Sequence, residues 1–347
     1  ATAGPTGFKP SQFHSAYNLP TQAPVPQTIA LVVAYDWPTA KVDLDKFNST
    51  FGLPAFPSCS GTVTTSCFQK VNQNGAASPL PSSNASWAQE TAIDVETAHG
   101  ICQSCKILLV EANSAGFADL AAAENRAAAL GANVISNSYG GGDWVFDLSP
   151  YVSAYDHPGI AVVAASGDGG YTSSGSVFPA SLPGTVAVGG TTLALNADNS
   201  YKSETTWSGA GSGCSSPYAA PAWQTSLSNW ASVGCDTKRA VADVAAVANP
   251  ATGAAIYDST KYQGKSGWFV FGGTSLATPI IAGVYGLAGN ATSQPYPASI
   301  AYANSSAFRD ITSGSNISTC GGRTICQAGA GYDGPTGLGT PNGLGGF

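Results

Sequence analysis

A serine follows a glycine-rich turn in the stretch FGGTSLATPIIAG, residues 271–283. The apolar run after Ser275 predicts a helix, so the serine would lie at a helix N-terminus, where unpaired backbone N–H groups and the helix dipole favour negative charge. A hydroxyl group in that position suits a nucleophile whose own backbone helps to stabilise an oxyanion. The alternative is a serine that only caps the helix.

If Ser275 is a nucleophile, another side chain must accept its proton, and Glu90 and Asp94 are candidates. They lie four residues apart in the helical pattern WAQETAIDVETAHGI, residues 87–101, and therefore share one face of the helix. An exposed acidic face is the ordinary interpretation of such a pair, whereas a pair buried among these apolar neighbours would share a proton. Three histidines could act as the base instead: His14, His99 and His157.

A third carboxyl residue, Asp168, directly follows the apolar run IAVVAASG, residues 160–167. An aspartate before glycine is usually a turn residue. This one, however, comes at the carboxyl end of a predicted strand, which is where parallel sheets gather their functional groups.

The elements that must position these side chains alternate along the chain. Apolar runs predict strands over residues 28–36, 106–112, 133–139, 160–167 and 185–193. Helical patterns occupy residues 41–51, 87–101, 117–131 and the segment after Ser275. Apolar strands separated by helices predict an α/β fold with a mainly parallel central sheet and helices on both faces. Because no repeat or Pro-rich linker divides the chain, we expect a single domain over residues 1–347, with a loop-rich C-terminal end.

The composition limits the class of protein. Charged residues make up 10% of the chain, and 20 acidic against 13 basic side chains give a net charge of −7. Nucleic-acid-binding proteins carry clustered Lys and Arg, so we expect no nucleic-acid partner. A low content of ionisable groups limits the charge gained in acid, which suits an acidic medium. No apolar run reaches the roughly 18 residues of a membrane span, so we expect no membrane segment.

The eight cysteines fall into four pairs of near neighbours: Cys59 and Cys67, Cys102 and Cys105, Cys214 and Cys235, and Cys320 and Cys326. Such pairs predict disulfides formed in an oxidising compartment, and hence a secreted protein. A redox or zinc motif at Cys102-x-x-Cys105 is the alternative, but neither a second CxxC nor a histidine cluster accompanies it. The chain begins at Ala1 without a signal peptide, so we expect the mature form of a secreted protein.

Taken together, the motifs resemble one family. Gly-Thr-Ser-x-Ala-x-Pro at Ser275 is similar to the nucleophile motif that subtilisins and sedolisins share. A subtilisin would usually continue His99-Gly as His-Gly-Thr-His and would have Asn in place of Asp168, whereas here Ile-Cys follows His99-Gly. Glu90-x-x-x-Asp94, Ser-Gly-Asp168 and the Ser275 motif, in this order, resemble the sedolisins, the family of serine-carboxyl peptidases. The resemblance extends over nearly the whole chain, from YNLP near its start to TGLGTPNG near its end.

The resemblance implies a subtilisin-like α/β fold and a secreted endopeptidase that acts in acid on protein and peptide substrates. It implies that Glu90 accepts the Ser275 proton and that Asp94 orients Glu90. Asp168 would donate a hydrogen bond to the oxyanion, for which it must be protonated. Relatives are made with an N-terminal prosegment, which would inhibit the enzyme before activation, and we expect the mature enzyme to be a monomer.

Substrate contacts and one departure from the family concern the same part of the chain. We expect Ser136, Ser138 and Gly140 to contact the substrate. Val177 falls where some relatives line the cleft, which favours an apolar over a basic substrate side chain. Many relatives have Trp in place of Tyr139.

The resemblance also implies one structural calcium ion in the loop-rich C-terminal region. Sedolisins hold calcium with an Asp-Ile or Asp-Val pair and a later Gly-x-Gly-x-Asp loop. Carboxylate and backbone carbonyl oxygens are the ligands that calcium prefers. The matching residues here are Asp310, Ile311, Gly329, Gly331 and Asp333.

Two alternative functions remain open at this stage. A tripeptidyl-peptidase of the same family would differ in its peptide products. A secreted binding protein on an inactive scaffold would hydrolyse nothing, although the presence of Ser275, Glu90, Asp94 and Asp168 argues against it.

Overall fold

A parallel sheet runs through the centre of the protein, in a computed structural model that describes residues 5–145 and 147–347. Residues 1–4 and 146 of the predicted domain lie outside the described residues. The strands are β1 Thr28–Ala34, β2 Phe68–Asn72, β3 Lys106–Ala112, β4 Val134–Asn137, β5 Gly141–Gly142, β6 Ala161–Ala165, β7 Val177–Phe178, β8 Val186–Leu195, β9 Tyr201–Thr206, β10 Gly213–Ala219, β11 Lys238–Val241, β12 Val244–Val247, β13 Ala254–Tyr262, β14 Lys265–Phe271, β15 Phe308–Arg309 and β16 Thr340–Pro341. The α-helices are α1 Pro10–Tyr17, α2 Ala40–Phe51, α3 Ala85–Ile101, α4 Phe117–Ala129, α5 Ala222–Thr225, α6 Trp230–Val233, α7 Thr274–Ala288 and α8 Ala298–Ala303.

The strand order of the central sheet is β12-β8-β6-β4-β1-β3-β2, with β9 paired to β8 beside this path. Neighbours along the path are parallel, and only the β8–β9 pair is antiparallel. Parallel strands bring their carboxyl ends to one edge of the sheet. The turns after β4 and β6, which carry Ser138 and Asp168, therefore lie at the same edge.

Apolar residues of the central strands alternate between the two faces of the sheet. In β1, Ile29, Leu31 and Val33 pack into the larger core cluster with α3 and α7, whereas Ala30 and Val32 pack into the cluster that contains α4. Helices thus cover both faces, as apolar parallel strands require. The predicted α/β fold with a mainly parallel sheet is confirmed.

Helices α3 and α7 approach each other closely, and this approach brings together the two helices that carry the catalytic candidates. A Cβ atom placed on Gly283 of α7 would lie 2.5 Å from Cγ2 of Ile101 at the end of α3. Glycine at this position therefore lets the helix axes come closer than a larger residue would.

Three strands of the central sheet, β2, β9 and β12, were absent from the sequence prediction. β9 is the largely polar segment YKSETT. β2 contains Gln69 and Lys70 within FQKVN, and β12 consists of four residues that follow Asp243. Gln69 and Lys70 interrupt the apolar pattern of β2, and the four residues of β12 are too few to distinguish a strand from other apolar segments. The five predicted strands are present, with bounds that differ by up to two residues.

Disulfides join all eight cysteines in the predicted neighbour pairs: Cys59–Cys67, Cys102–Cys105, Cys214–Cys235 and Cys320–Cys326. The Cys102-x-x-Cys105 pair is a buried disulfide next to α3, not part of a metal site. Within the described ranges, none of the helices has the length and apolar character needed to cross a bilayer.

Candidate active site

The nucleophile candidate lies in the first turn of α7. Gly273 is the residue that caps this helix, with φ 90°, and Ser275 is the second helical residue. Ser275 is therefore not the helix cap, and its hydroxyl group is not needed to satisfy the helix end. A Cβ atom on Gly273 would lie 2.7 Å from Oδ2 of Asp168, so both the backbone conformation and the close approach require glycine here.

Asp168, in the turn after β6, is fastened to the residue next to Ser275. The backbone N–H and the hydroxyl group of Thr274 both donate to its Oδ1, at 2.7 and 2.9 Å. Since both bonds end at Oδ1, Oδ2 remains available for a ligand. The Thr274 hydroxyl also accepts a bond from the backbone N–H of Gly167, at 3.1 Å, which holds the two turns together.

Glu90 meets both of these turns from α3. Burial raises the pKa of Glu90 to about 7, the Ser275 hydroxyl group lowers it, and the negative charge of Asp168 raises it further. The Ser138 hydroxyl oxygen lies 2.6 Å from Oδ1 of Asp94 on α3 and 3.4 Å from the Ser275 carbonyl oxygen on α7, so the Glu90 face of α3 adjoins Ser275 and, through Thr274, Asp168. Oε1 of Glu90 is buried and has no hydrogen-bond partner among the described residues.

Asp94 lies one helical turn beyond Glu90 and is fully buried. Burial and the charge of Glu90 raise the pKa of Asp94, while a hydrogen bond from the Ser138 hydroxyl to Oδ1, at 2.6 Å, lowers it. In the described part of the chain, Oδ2 of Asp94 has no partner. Two neighbouring carboxyl groups, each with one buried and unpaired oxygen, are best satisfied by sharing a proton.

None of the three histidines takes part in this site. His99 is fully buried, and its ring is 3.9 Å from that of Phe56, centroid to centroid. Burial lowers the pKa of His99 to about 3, so it stays neutral through most of the acid range. His14 bonds the backbone oxygens of Leu19 and Gly100, while His157 follows the 3-10 helix Ser149–Tyr155.

The predicted substrate contacts differ in their access to solvent. Ser136 is fully buried within β4, and the buried Ser138 hydroxyl is bonded to Asp94. Burial does not support a direct contact of these two side chains with substrate, and for them that role stays a prediction. Gly140 is exposed, and a Cβ atom on it would overlap Val177.

Sequence reasoning missed the contribution of Thr274 and the link from Ser138 to Asp94. Thr274 precedes the nucleophile and has two bonds to Asp168, but threonine in a turn carries no signal of its own. Ser136 and Ser138 were predicted only as substrate contacts, and nothing in the local sequence indicates that the Ser138 hydroxyl lies opposite Asp94, 44 residues away.

The calcium candidates come together in the C-terminal loops. The N–H of Gly331 donates to Oδ2 of Asp310 at 2.8 Å, and Asp333 is fully buried. Burial raises the pKa of Asp333, hydrogen bonds from Thr336 and Gly329 lower it, and the charge of Asp310 raises it again. The described residues contain no group of three or more His, Cys, Asp or Glu side chains that could hold a metal, so any ion here needs backbone oxygens.

Backbone oxygens suited to this purpose are present. No hydrogen bond within the described ranges ends at the carbonyl oxygens of Ile311, Gly329 or Gly331, whereas Asn229 bonds those of Ala330 and Tyr332. Neither Asp310 nor Asp333 forms an ion pair with a described cation. Two carboxylates and three unpaired carbonyls fit a hard cation.

Known proteins that are similar to this chain show its family and its fold. The family model described as the subtilase family matches residues 58–311. The chain is 28% identical to sedolisin of Pseudomonas sp. (strain 101) over 96% of its own length and 60% of that protein. It is 28% identical to kumamolisin of Bacillus sp. (strain MN-32) over 99% of its own length and 63% of that protein. The chain thus spans about six tenths of the length of these relatives.

Solved structures include a complex of Pseudomonas sedolisin, a serine-carboxyl proteinase, with two molecules of pseudo-iodotyrostatin. It superimposes with a TM-score of 0.79 at 26% identity, over 98% of this chain and 96% of that one. The predicted subtilisin-like fold is thereby confirmed. The chain belongs to the subtilase family and, within it, to the sedolisins.

Proposed function

We propose that this protein is a serine-carboxyl endopeptidase that acts in acid through an acyl-enzyme on Ser275. The observation that carries the proposal is the convergence of Ser275 and Asp168 on the half-buried Glu90, with no histidine in the site. Asp94 interacts with Glu90 and accepts a hydrogen bond from the Ser138 hydroxyl group. The arrangement therefore provides a nucleophile, a base and a group that orients the base.

In the proposed reaction, the Ser275 Oγ attacks the carbonyl carbon of the substrate while its proton moves to Glu90. The carbonyl oxygen becomes an oxyanion, which accepts a hydrogen bond from protonated Asp168. Protonated Glu90 then gives its proton to the leaving amine as the C–N bond breaks. Water hydrolyses the acyl-enzyme by the same steps, which regenerates the Ser275 hydroxyl and releases the acid.

Protonation sets the conditions for this reaction. Glu90 and Asp94 must together carry one negative charge, so that one oxygen can accept the Ser275 proton. Asp168 must be protonated, because an ionised carboxylate would repel the oxyanion. The active form therefore carries one negative charge over three carboxyl groups, and we expect a bell-shaped pH–rate profile that falls off before alkaline pH.

The variant Asp168→Asn tests the second of these conditions. Asn can accept the bonds of Thr274 at Oδ1 and offers Nδ2 as a donor where Oδ2 lies, at every pH. Loss of an optimal oxyanion donor costs about 100- to 1000-fold in kcat in related sites, so we expect a slower enzyme whose alkaline limb is shifted upward. The measurement is kcat/KM against pH, with the folded fraction followed in parallel. An unchanged alkaline limb in folded protein would exclude Asp168 as its origin.

Asp310, Ile311, Gly329, Gly331 and Asp333 would hold one calcium ion, which supports the fold and takes no part in the reaction. A ligand that binds only the folded state stabilises it by mass action. We expect chelator to lower the Tm of the inactive Ser275→Ala protein at pH 6, and added calcium to restore it. Asp310→Asn should reduce both responses. A Tm that responds to neither chelator nor calcium would contradict the site.

Val177 is the residue that we propose to limit the substrate side chain. A Cβ atom on Gly167, next to Asp168, would lie 3.2 Å from Cγ2 of Val177, and one on Gly140 would overlap Cγ1. Its methyl groups thus form an apolar wall between the turns after β4 and β6. We expect Val177→Asp to raise kcat/KM for Lys or Arg relative to Leu at the cleaved bond by about tenfold, measured on a peptide library. An unchanged preference would mean that Val177 does not limit the substrate side chain.

The proposed function is tested by incubating the purified protein with an unfolded protein substrate in acid and mapping the peptides by mass spectrometry. Internal cleavage at many positions is expected. Release of tripeptides from the N-terminus would identify a tripeptidyl-peptidase instead. Peptide binding without hydrolysis would identify a binding protein. Because disulfides join all cysteines, we propose that the protein acts outside the cell.

A further inference from the structure

The hairpin formed by β13 and β14 leads directly into the nucleophile turn, since β14 ends at Phe271. The two strands form a separate two-stranded sheet, so backbone groups on the outer edge of β13 need other partners. Phe8 provides one at the start of β13, where its carbonyl oxygen accepts from the Ala255 N–H at 2.9 Å, and carboxylates provide two more. The N–H of Tyr257 donates to Oε2 of Glu96 at 2.9 Å, and the N–H of Ser259 donates to Oδ2 of Asp43 at 3.0 Å.

A third carboxyl group projects from the hairpin itself. Oδ1 of Asp258 accepts bonds from the N–H of Thr260 at 2.8 Å and from Nε1 of Trp37 at 3.2 Å. Asp43, Glu96 and Asp258 come from α2, α3 and β13, and all three are 0–1% exposed. We call these three residues the carboxyl clamp.

None of the described cations forms an ion pair with a carboxyl group of the clamp. Lys70 bonds the Trp37 carbonyl oxygen and pairs with Asp36 and Glu111, and Lys41 of α2 pairs with Asp45. Lys261 of β13 is exposed. Of the other titratable groups nearby, Tyr257 is bonded through its backbone, and His99 on α3 faces Phe56. Oε1 of Glu96 and Oδ2 of Asp258 are buried without a partner in the described structure.

Unpaired buried oxygens of this kind favour protonated carboxyl groups. Burial raises the pKa of Glu96, and the charges of Asp43 and Asp258 raise it further. Burial also raises the pKa of Asp258, with a smaller contribution from Asp43. Protonation thus removes like charges that would otherwise repel each other between the hairpin and the two helices.

We propose that Asp43, Glu96 and Asp258 form an acid-dependent clamp that fastens the β13–β14 hairpin to α2 and α3, and thereby positions the nucleophile turn. The clamp does not depend on the proposed function, whereas its effect on activity does. As the pH rises and Glu96 and Asp258 ionise beside Asp43, the repulsion among the carboxylates separates β13 from the helices. Trp268 of β14, which packs against Phe47 and Phe51 of α2, then becomes exposed.

Hydrogen exchange of the Ser275→Ala protein tests the clamp without interference from self-digestion. Each proton released on opening changes the opening equilibrium by up to about tenfold per pH unit. Between pH 4 and pH 7, after correction for the intrinsic rate, we expect protection of peptides covering residues 254–262 to fall at least about tenfold more than that of β1 and β3. The double substitution Glu96→Gln with Asp258→Asn keeps the acceptor oxygens but cannot ionise. It should remove most of this additional fall.

Glu124→Gln provides the matched control. Glu124 is also fully buried, on α4, with one unpaired oxygen and a pKa raised by burial, but it does not contact the hairpin. We expect it to leave the exchange of the hairpin relative to the sheet unchanged. If the double variant fails to fold, Glu96→Gln alone is measured in the same way. The clamp is refuted if hairpin and sheet lose protection together in the Ser275→Ala protein, or if Glu124→Gln protects the hairpin as well as the clamp variants do.

Discussion

Ser275→Ala is expected to keep its fold and to lose peptidase activity by about four orders of magnitude or more in kcat. Removal of the nucleophile from a serine peptidase triad costs on the order of a millionfold, because the remaining site only binds and polarises the substrate. Glu90→Gln should lose activity to a similar degree, since an amide cannot accept the Ser275 proton. Initial rates on a fluorogenic peptide at acid pH, normalised to folded protein, measure both effects.

His99→Leu is the control that separates this mechanism from a subtilisin-type triad. Leucine preserves apolar packing against Phe56, where the histidine makes no hydrogen bond in the described structure. We expect activity per folded molecule within about threefold of the unsubstituted enzyme, because surface and core changes outside a site alter stability more than chemistry. Loss of activity comparable to that of Ser275→Ala would identify His99 as the base and overturn the role of Glu90.

The residues of the proposed triad and Asp168 could be predicted because their spacing and order are sequence-local signals. Glu90 and Asp94 are four residues apart on one helix, Asp168 follows Gly167, and Ser275 follows a Gly-Gly-Thr turn. These residues converge because the strands are parallel and end at one edge of the sheet, and the alternation of strands and helices predicts a parallel sheet. That part of the site therefore follows from pattern and topology.

Contacts between distant segments could not be predicted in this way. Ser138 reaches Asp94 across 44 residues, and Asp43 reaches Ser259 across 216. Glu96, two residues beyond Asp94, resembles any acidic residue in a helix until its burial is known. Glu96 is buried because the edge of β13 away from β14 has N–H groups that need acceptors, and carboxyl groups on the neighbouring helices accept from two of them.

Stability is expected to fall as the pH rises from about 4 to about 8, the reverse of ordinary acid denaturation. Outside the proposed calcium site, burial raises the pKa of seven carboxyl groups above their ordinary values: Glu90, Asp94, Glu96, Glu111, Glu124, Glu204 and Asp258. Between the unfolded and folded pKa values the folded state binds more protons, so the free energy of unfolding decreases with pH. The contribution of each group is complete below its unfolded pKa, near 4, and is lost as the pH passes its folded pKa.

The groups with the largest pKa shifts contribute most to this fall in the free energy of unfolding. Burial raises the pKa of Glu111 from 4.5 to about 8 despite the charge of Lys70. At about 1.4 kcal/mol per pKa unit, this group alone contributes on the order of 5 kcal/mol that is lost on ionisation. His99 acts in the opposite direction, since its pKa is lowered to about 3 and its contribution grows as the pH rises to about 6.5. Burial also lowers the pKa of His157, which acts in the same direction as His99, but two histidines cannot offset seven carboxyl groups.

Urea unfolding of the Ser275→Ala protein between pH 3 and pH 9 measures the predicted fall. Because domains are typically stable by only about 5–15 kcal/mol, we expect most of the free energy of unfolding to be lost by pH 8. Glu111→Gln retains the acceptor for the Trp37 N–H, at 3.1 Å in the present structure, but cannot ionise. It should reduce the downward slope between pH 4 and pH 8 by up to about 1.4 kcal/mol per pH unit, the share of one proton. Stability that stays constant or increases over this range would mean that the buried carboxyl groups are ionised in the folded protein, and both the shared proton of Glu90 and Asp94 and the carboxyl clamp would then lose their basis.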